Sequence, residues 1–136
     1  MQSTYDKIQY YKIGQRDKAS IIAKLKTLLA KEEQVKLALL FGSLTRRDSI
    51  RDIDLAIYAE PELTFKEYLY LNAQIELELR IPVDLVEIAK APASLKAYIL
   101  KNGTLIKGTK TQQNQLLTQI IPAPERSSER ASARSA

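Results

Sequence analysis

The 136-residue sequence contains no cysteine and no histidine. The absence of cysteine excludes disulfides and thiolate metal sites. The absence of histidine excludes Ser-His and Cys-His relays, zinc sites built on imidazole, and ribonuclease chemistry that depends on histidine. The side chains left for catalysis are those of Asp, Glu, Lys, Arg, Tyr, Ser and Thr. Their carboxylates favour hard cations that prefer oxygen ligands, such as Mg²⁺.

Long apolar segments are also absent. No run approaches the ~20 apolar residues that a membrane span needs, and the N-terminal segment MQSTYDKIQYYK is too polar for a signal peptide. We therefore expect a cytoplasmic protein. The net charge of +5 is spread along the chain. Such a charge suits a polyanionic ligand or an acidic partner, but it equally suits a plain solvated surface.

Hydrophobic patterning predicts alternating helices and strands. Apolar residues three and four positions apart predict amphipathic helices over residues 16 to about 33 and 63 to about 80. A further helix is expected between Pro92 and Gly103. Three apolar runs predict strands, at residues 35–41, 52–58 and 82–88. This order indicates an α/β (or α+β) fold with a small mixed sheet of about three strands flanked by helices.

The length of the chain suits a single domain. We expect an N-terminal arm at residues 1–15, the domain at residues 16–108, and a C-terminal extension at residues 109–136. The last twelve residues contain only Glu, Arg, Ser and Ala. Because they lack apolar side chains with which to order themselves, this part is expected to be a disordered tail.

Two carboxylates stand at the head of the second predicted strand, in DIDLAIY. Because side chains alternate along a strand, Asp52 and Asp54 are expected on one face, where their like charges repel unless a cation lies between them. Asp84 has a similar apolar setting in PVDLVEI. If the two strands are neighbours, the three carboxylates converge, as in Mg²⁺ sites for phosphoryl or nucleotidyl transfer. One alternative is a turn role for Asp52. Another is that Asp54 and Asp84 form structural ion pairs with an arginine, namely Arg51, Arg80 or Arg47.

A Gly-Ser pair follows the first predicted strand. Gly42 permits a tight turn or a close backbone approach, and Ser43 suits the N-cap of a short helix from Leu44 to Arg47. Backbone N–H groups at such a helix end bind phosphate, and Arg46 and Arg47 would add positive charge. Taken singly, a Gly-Ser pair is usually a turn and such arginines are usually solvated. The prediction of a phosphate site therefore depends on the order of the motifs.

In that order, FGSLTRRDSIRDIDLAIY followed by IPVDLVEI resembles the minimal nucleotidyltransferases of the DNA polymerase β-like superfamily, over about residues 16–108. The resemblance implies the polymerase β-like nucleotidyltransferase fold, Mg²⁺ as cofactor and ATP as substrate. The sequence departs from the family's Gly-Ser-Arg-Ala-Arg-Gly run at Leu44 and Arg47. Its spacer of eight residues between Ser43 and Asp52 is shorter than is usual in the family.

The resemblance also implies a role for each site residue. The residues expected to bind the triphosphate are Gly42, Ser43 and Arg46. The residues expected to bind Mg²⁺ and to act in catalysis are Asp52, Asp54 and Asp84. Within this set, the resemblance assigns to Asp84 the task of orienting or deprotonating the acceptor hydroxyl.

The chain is similar to small stand-alone members that serve as antitoxins of HEPN-domain ribonuclease toxins. This likeness implies transfer of AMP from ATP to a tyrosine hydroxyl of the partner toxin, which neutralises it. No membrane or nucleic acid is needed. One alternative is an antitoxin that acts by binding alone and has a vestigial metal site. Another is a nucleotidyltransferase acting on a small molecule such as an aminoglycoside, although those enzymes generally bring an extra domain or a dimer partner.

Overall fold

The computed structural model of the chain describes residues 11–12, 15–42, 49–50 and 52–120. The helices in these ranges are α1 (Gln15–Ala30), α2 (Phe65–Leu79), α3 (Ala93–Asn102) and α4 (Lys110–Ile120), with a 3-10 helix at Ile88–Lys90. The strands are β1 (Tyr11–Lys12), β2 (Val35–Phe41), β3 (Ser49–Ile50), β4 (Ile53–Ala59), β5 (Val83–Glu87) and β6 (Thr104–Lys107). None of these helices is long and apolar enough to cross a membrane.

The main sheet has four strands in the order β5-β4-β2-β6. Strand β2 runs antiparallel to both β4 and β6, whereas β4 and β5 run parallel to each other. Parallel neighbours need a crossover connection, and α2 provides it. The predicted α/β fold with a small mixed sheet is therefore confirmed. Strands β1 and β3 pair antiparallel in a separate two-stranded sheet.

Helices cover the main sheet on both faces. One face packs on α1 and α2 through a buried cluster that includes Leu25, Leu29, Ile53, Leu55, Ile75, Val83 and Leu85. The other face packs on α3 and α4 through a cluster that includes Leu39, Ala56, Val86, Ile99, Leu100 and Leu116. Burial of each such leucine or isoleucine contributes roughly 1.5–3 kcal/mol. This two-sided burial explains why β2 is apolar and buried except at the exposed Lys36.

Helix α2 has well-defined ends. Thr64 Oγ1 accepts a hydrogen bond from the Glu67 N–H at 3.1 Å, and Glu67 Oε1 accepts one from the Thr64 N–H at 2.8 Å. This pair is a capping box, which satisfies two N–H groups at the helix start. Arg80 ends the helix in the left-handed conformation, with φ 63°. The predicted bounds of residues 63 to about 80 include the two capping residues.

Two elements at the C-terminal end were not predicted. Strand β6 has only four residues, too few for its alternation to be recognised. Helix α4 lies within the predicted C-terminal extension and packs against α3. There Gln113, which is 1% exposed, donates a hydrogen bond to the Leu100 carbonyl at 2.7 Å. The predicted disordered tail, the short helix from Leu44 to Arg47 and most of the N-terminal arm lie outside the described residues.

Candidate functional site

Asp54 and Asp84 face each other across the parallel strands β4 and β5. Residues in register on neighbouring strands project from the same face of a sheet, and the strands lie about 4.8 Å apart. Ala56 and Val86, two positions further along each strand, belong to the cluster under α3 and α4. Asp54 is half-buried and Asp84 is exposed. Two carboxylates therefore meet on one face, at the beginning of both strands, with access to solvent.

The backbone of Gly42 lies directly against Asp54. Gly42 follows the last residue of β2, Phe41, which pairs with Asp54 in the sheet. Its φ of 80° is in the region that side-chain-bearing residues rarely adopt. A Cβ atom at this position would overlap Oδ2 of Asp54 and lie 2.9 Å from its Cγ. Both the backbone conformation and the neighbouring carboxylate therefore require glycine here.

Asp52 was predicted to be the first residue of a strand, but it lies just outside β4. It is a half-buried residue at a bend, and β4 begins one position later, at Ile53. The strand alternation that would place Asp52 beside Asp54 thus applies only from Ile53 onward. Within the described ranges, no group of three or more Asp, Glu, His or Cys residues is placed to hold a metal ion. The convergence of all three carboxylates stays a prediction.

The predicted phosphate-binding side chains cannot be placed. Ser43 and Arg46 lie outside the described residues, as do the neighbouring positions Leu44, Arg47 and Arg51. Their assignment to the triphosphate therefore stays a prediction. Of the site residues expected from the sequence, the structure brings together Gly42, Asp54 and Asp84.

Ion pairs in the described part of the chain lie toward the far end of β5. Lys90 Nζ is 2.8 Å from Glu62 Oε2 and 3.4 Å from Glu87 Oε2. The hydrogen bond to Glu62 is the main reason why the pKa of Lys90 is raised. Arg80 and Asp84, which are both described, form no salt bridge. The alternative that Arg80 neutralises Asp84 is therefore not supported.

Side chains of α2 bind the outer edge of β5 on either side of Asp84. Among the described strands, β5 is at the edge of the sheet, so none of them pairs with its outward N–H and C=O groups. Glu76 Oε2 accepts a hydrogen bond from the Val83 N–H at 2.7 Å. The Tyr68 hydroxyl donates one to the Leu85 carbonyl at 2.5 Å. Both backbone neighbours of Asp84 are thus held by α2.

The charge of Asp84 acts on this hydroxyl. Burial is the largest cause of the raised pKa of Tyr68, followed by the charge of Asp84 and then that of Glu87. The raised pKa keeps the hydroxyl protonated, so it remains a donor. Sequence analysis missed Tyr68 and Glu76. Their targets are backbone groups of another element, and periodicity along α2 carries no information about such targets.

The donor set fits a magnesium ion. Mg²⁺ in proteins is commonly bound by one or two carboxylates together with substrate phosphates and water. Asp54 and Asp84 supply two carboxylates from adjacent strands, and the exposure of Asp84 leaves room for a substrate. Because Gly42 has no side chain, a bound group can come close to its backbone next to these two carboxylates. Asp54 and Asp84 are the residues that could hold such an ion, and the role of Asp52 as a further ligand stays a prediction.

The sequence was compared with known families and proteins. The family model described as "Polymerase beta, Nucleotidyltransferase" matches residues 23–112. The matched range contains Gly42, Asp54 and Asp84, together with both strands that bring the two carboxylates into register. No curated protein sequence matches the chain at a significant level.

Solved structures with a similar fold include chains of toxin–antitoxin complexes. For the MntA–HepT complex the TM-score is 0.65 at 23% identity, over 86% of this chain and 96% of that one. For a tri-AMPylated Shewanella oneidensis HEPN toxin in complex with MNT antitoxin, the TM-score is 0.67 at 23% identity, over 87% and 96%. For a toxin–antitoxin structure with AMP-PNP, the TM-score is 0.68 at 24% identity, over 84% and 95%. At these identities the likeness shows the fold.

Proposed function

Because this chain belongs to the polymerase beta nucleotidyltransferase family, we propose that it is an antitoxin that transfers AMP from ATP to a tyrosine hydroxyl of a HEPN-domain ribonuclease toxin. The observation that carries the proposal is the facing pair Asp54 and Asp84, with the Gly42 backbone against the first of them. The choice of nucleotide and partner is supported by the structures of similar fold, which include a complex with an AMPylated HEPN toxin and one with AMP-PNP.

The proposed chemistry assigns a task to each carboxylate. Asp54 and Asp84 would hold Mg²⁺ together with Asp52, and the bound ion would neutralise charge on the triphosphate. Asp84 is exposed, so a tyrosine hydroxyl can reach it. The carboxylate would orient that hydroxyl and accept its proton. As the tyrosine oxygen bonds to the α-phosphorus of ATP, the bond to pyrophosphate breaks and pyrophosphate leaves.

The triphosphate would lie at the end of β2. Gly42 would allow it to approach the backbone there. Ser43 and Arg46 would bind its oxygens, as the family resemblance implies. ATP and the proposed ribonuclease are both found in the cytoplasm, so we place the reaction there.

Transfer of label from α-³²P-ATP tests the proposal. The purified chain is incubated with Mg²⁺, labelled ATP and a HEPN-domain protein with which it forms a complex. We expect label on the toxin with the wild-type chain and none with Asp54→Asn. Absence of transfer by the wild type, under conditions where the two proteins form a complex, would contradict the proposed activity.

A second candidate function is neutralisation by binding alone. It is favoured by one observation, that no group of three carboxylates placed to hold a metal ion is found within the described residues. The two functions differ in what Asp54→Asn does in cells. An antitoxin that only binds would protect cells with this variant as well as with the wild type. An adenylyltransferase would lose protection even though the complex still forms.

A further inference from the structure

The backbone around Asp84 is held from three directions. On one side β5 pairs with β4 in register. On the face toward α1 and α2, the side chains of Val83 and Leu85 are buried, with 6% and 3% of their surface exposed. On the outer edge, Glu76 binds the Val83 N–H and Tyr68 binds the Leu85 carbonyl. The side chain of Asp84 projects to the other face of the sheet, where it is exposed.

The two outer hydrogen bonds are specific to this part of β5. Edge strands are often protected from pairing with another chain by charges, bulges or short length. None of these features holds the backbone of one particular residue in place. Here two side chains of α2 bind the backbone on either side of Asp84. The bond to Glu76 is stronger than a neutral one where the carboxylate is ionised. The bond to Tyr68 comes from a ring stacked on Phe65, with 6.4 Å between ring centroids. In each bond a side chain of α2 thus binds a backbone group of β5.

We propose that Tyr68 and Glu76 are positioning residues that set the place of the Asp84 carboxylate relative to Asp54. This inference rests on the proposed function, because the position of Asp84 matters only if it binds Mg²⁺ and the acceptor. Small displacements of a ligand weaken a metal site, and loss of groups that orient ligands commonly costs 10- to 100-fold in affinity or activity. Neither side chain would touch the substrate or the ion.

Chemically conservative variants separate the two bonds from packing. Tyr68→Phe keeps the ring and its contact with Phe65 but removes the hydroxyl. Glu76→Ala removes the acceptor for the Val83 N–H, whereas Glu76→Gln keeps an acceptor oxygen at the same reach. We expect Glu76→Gln to restore most of what Glu76→Ala loses. That rescue is not expected if only the charge of Glu76 matters.

A matched control lies on the same helix. Glu67 belongs to the capping box at the start of α2, so Glu67→Ala removes the acceptor for the Thr64 N–H and weakens the helix without removing a contact with β5. The free energy of unfolding of every variant is measured in urea. Binding of Mn²⁺ is then measured by electron paramagnetic resonance in the presence of AMP-PNP. In parallel, kcat and KM are measured for AMP transfer to the toxin.

The double variant Tyr68→Phe with Glu76→Ala is expected to bind Mn²⁺ about 10-fold more weakly than the wild type. Its kcat should fall while its KM for the toxin stays unchanged, and Glu67→Ala should match the wild type in both. Mn²⁺ binding and kcat within twofold of wild type in the double variant would overturn the inference and leave the proposed function standing. If the wild type itself neither binds Mn²⁺ nor transfers AMP, the proposed function fails and this inference with it.

Discussion

Gly42 and Asp54 are packed so closely that any side chain on the glycine would overlap the carboxylate of the aspartate. The contact joins the end of β2 to the beginning of β4, and the next strand, β5, brings Asp84 into register with the same aspartate. A glycine at the turn and two facing carboxylates therefore form one structural unit. The predictions below test this unit and the helix beside it.

Gly42→Ala is expected to reduce both stability and activity. The left-handed backbone would cost about 1–2 kcal/mol for alanine, and the new methyl group would displace Asp54. A displacement of about 1 Å in a catalytic group can reduce the rate roughly 100-fold. AMP transfer per folded molecule, with the folded fraction measured by urea denaturation, should fall to that extent.

Gly108→Ala is the matched control for this variant. Gly108 also has a positive φ, of 98°, and a Cβ there would lie 2.7 Å from Leu37 Cδ1 and 2.8 Å from the Lys36 carbonyl oxygen. It follows β6, beside the start of β2 rather than its end. We expect a similar loss of stability with AMP transfer per folded molecule unchanged. Equal losses of activity in both variants would show that Gly42 matters for the fold alone.

Asp84→Asn is expected to abolish AMP transfer without destabilising the metal-free protein. Like charges that face each other across a sheet are destabilising, by roughly 0.2–1 kcal/mol. Removing one of them should therefore raise the free energy of unfolding slightly in buffer that contains a chelator. The wild type should gain stability when Mg²⁺ and AMP-PNP are added, and the variant should gain less. A variant that unfolds more easily than the wild type without metal would argue against the facing of the two charges.

Tyr68→Phe is expected to lower stability and to change its dependence on pH. Loss of the hydrogen bond to the Leu85 carbonyl should cost about 1 kcal/mol at neutral pH. Because the pKa of Tyr68 is raised above 10.0 in the folded protein, its contribution is complete below pH 10 and is lost as the pH rises through the folded pKa. Urea denaturation between pH 8 and about 11 should show a steeper loss in the wild type than in Tyr68→Phe. Identical slopes would mean that the hydroxyl ionises as readily in the folded chain as in the unfolded one.

Lys107→Met is expected to destabilise the fold and to leave AMP transfer intact. Lys107 Nζ donates to the Leu29 carbonyl at 2.7 Å and to the Glu32 carbonyl at 2.9 Å. A cation at these carbonyls stabilises the end of α1. Its loss should cost about 1 kcal/mol, measured by thermal or urea unfolding. Reduced transfer per folded molecule would reveal a link between β6 and the site that the fold does not indicate.

Three of the helices, three strands of the main sheet and the meeting of two carboxylates are recoverable from the sequence for physical reasons. Strand β2 has the predicted bounds, because an apolar run buried on both faces has sharp polar ends. Asp54 and Asp84 were expected to meet if their strands were neighbours, and the parallel pairing of β4 and β5 confirms that the strands are. The predicted strand began one residue too early, at Asp52, whereas β4 begins at Ile53. The alternation of side chains does not show whether a polar residue next to a strand belongs to it.

Other features depend on contacts that leave no pattern in the chain. Strand β6 is too short for alternation, and its place beside β2 is decided by tertiary pairing. The hydrogen bonds from Tyr68 and Glu76 end on backbone atoms, whose chemistry is the same for every residue at the target positions. The glycine at position 42 predicts a tight turn or a close contact with its backbone. It does not predict that the contacting group is the carboxylate of Asp54.

The intact mass of the partner toxin tests the central claim most directly. The HEPN-domain protein is co-expressed with the wild-type chain or with Asp54→Asn, purified, and measured by mass spectrometry. With the wild type, we predict a toxin heavier by the mass of one or more AMP groups and free of ribonuclease activity. With Asp54→Asn we predict an unmodified, active toxin. A toxin that is neutralised by the wild type while its mass remains unchanged would contradict the account.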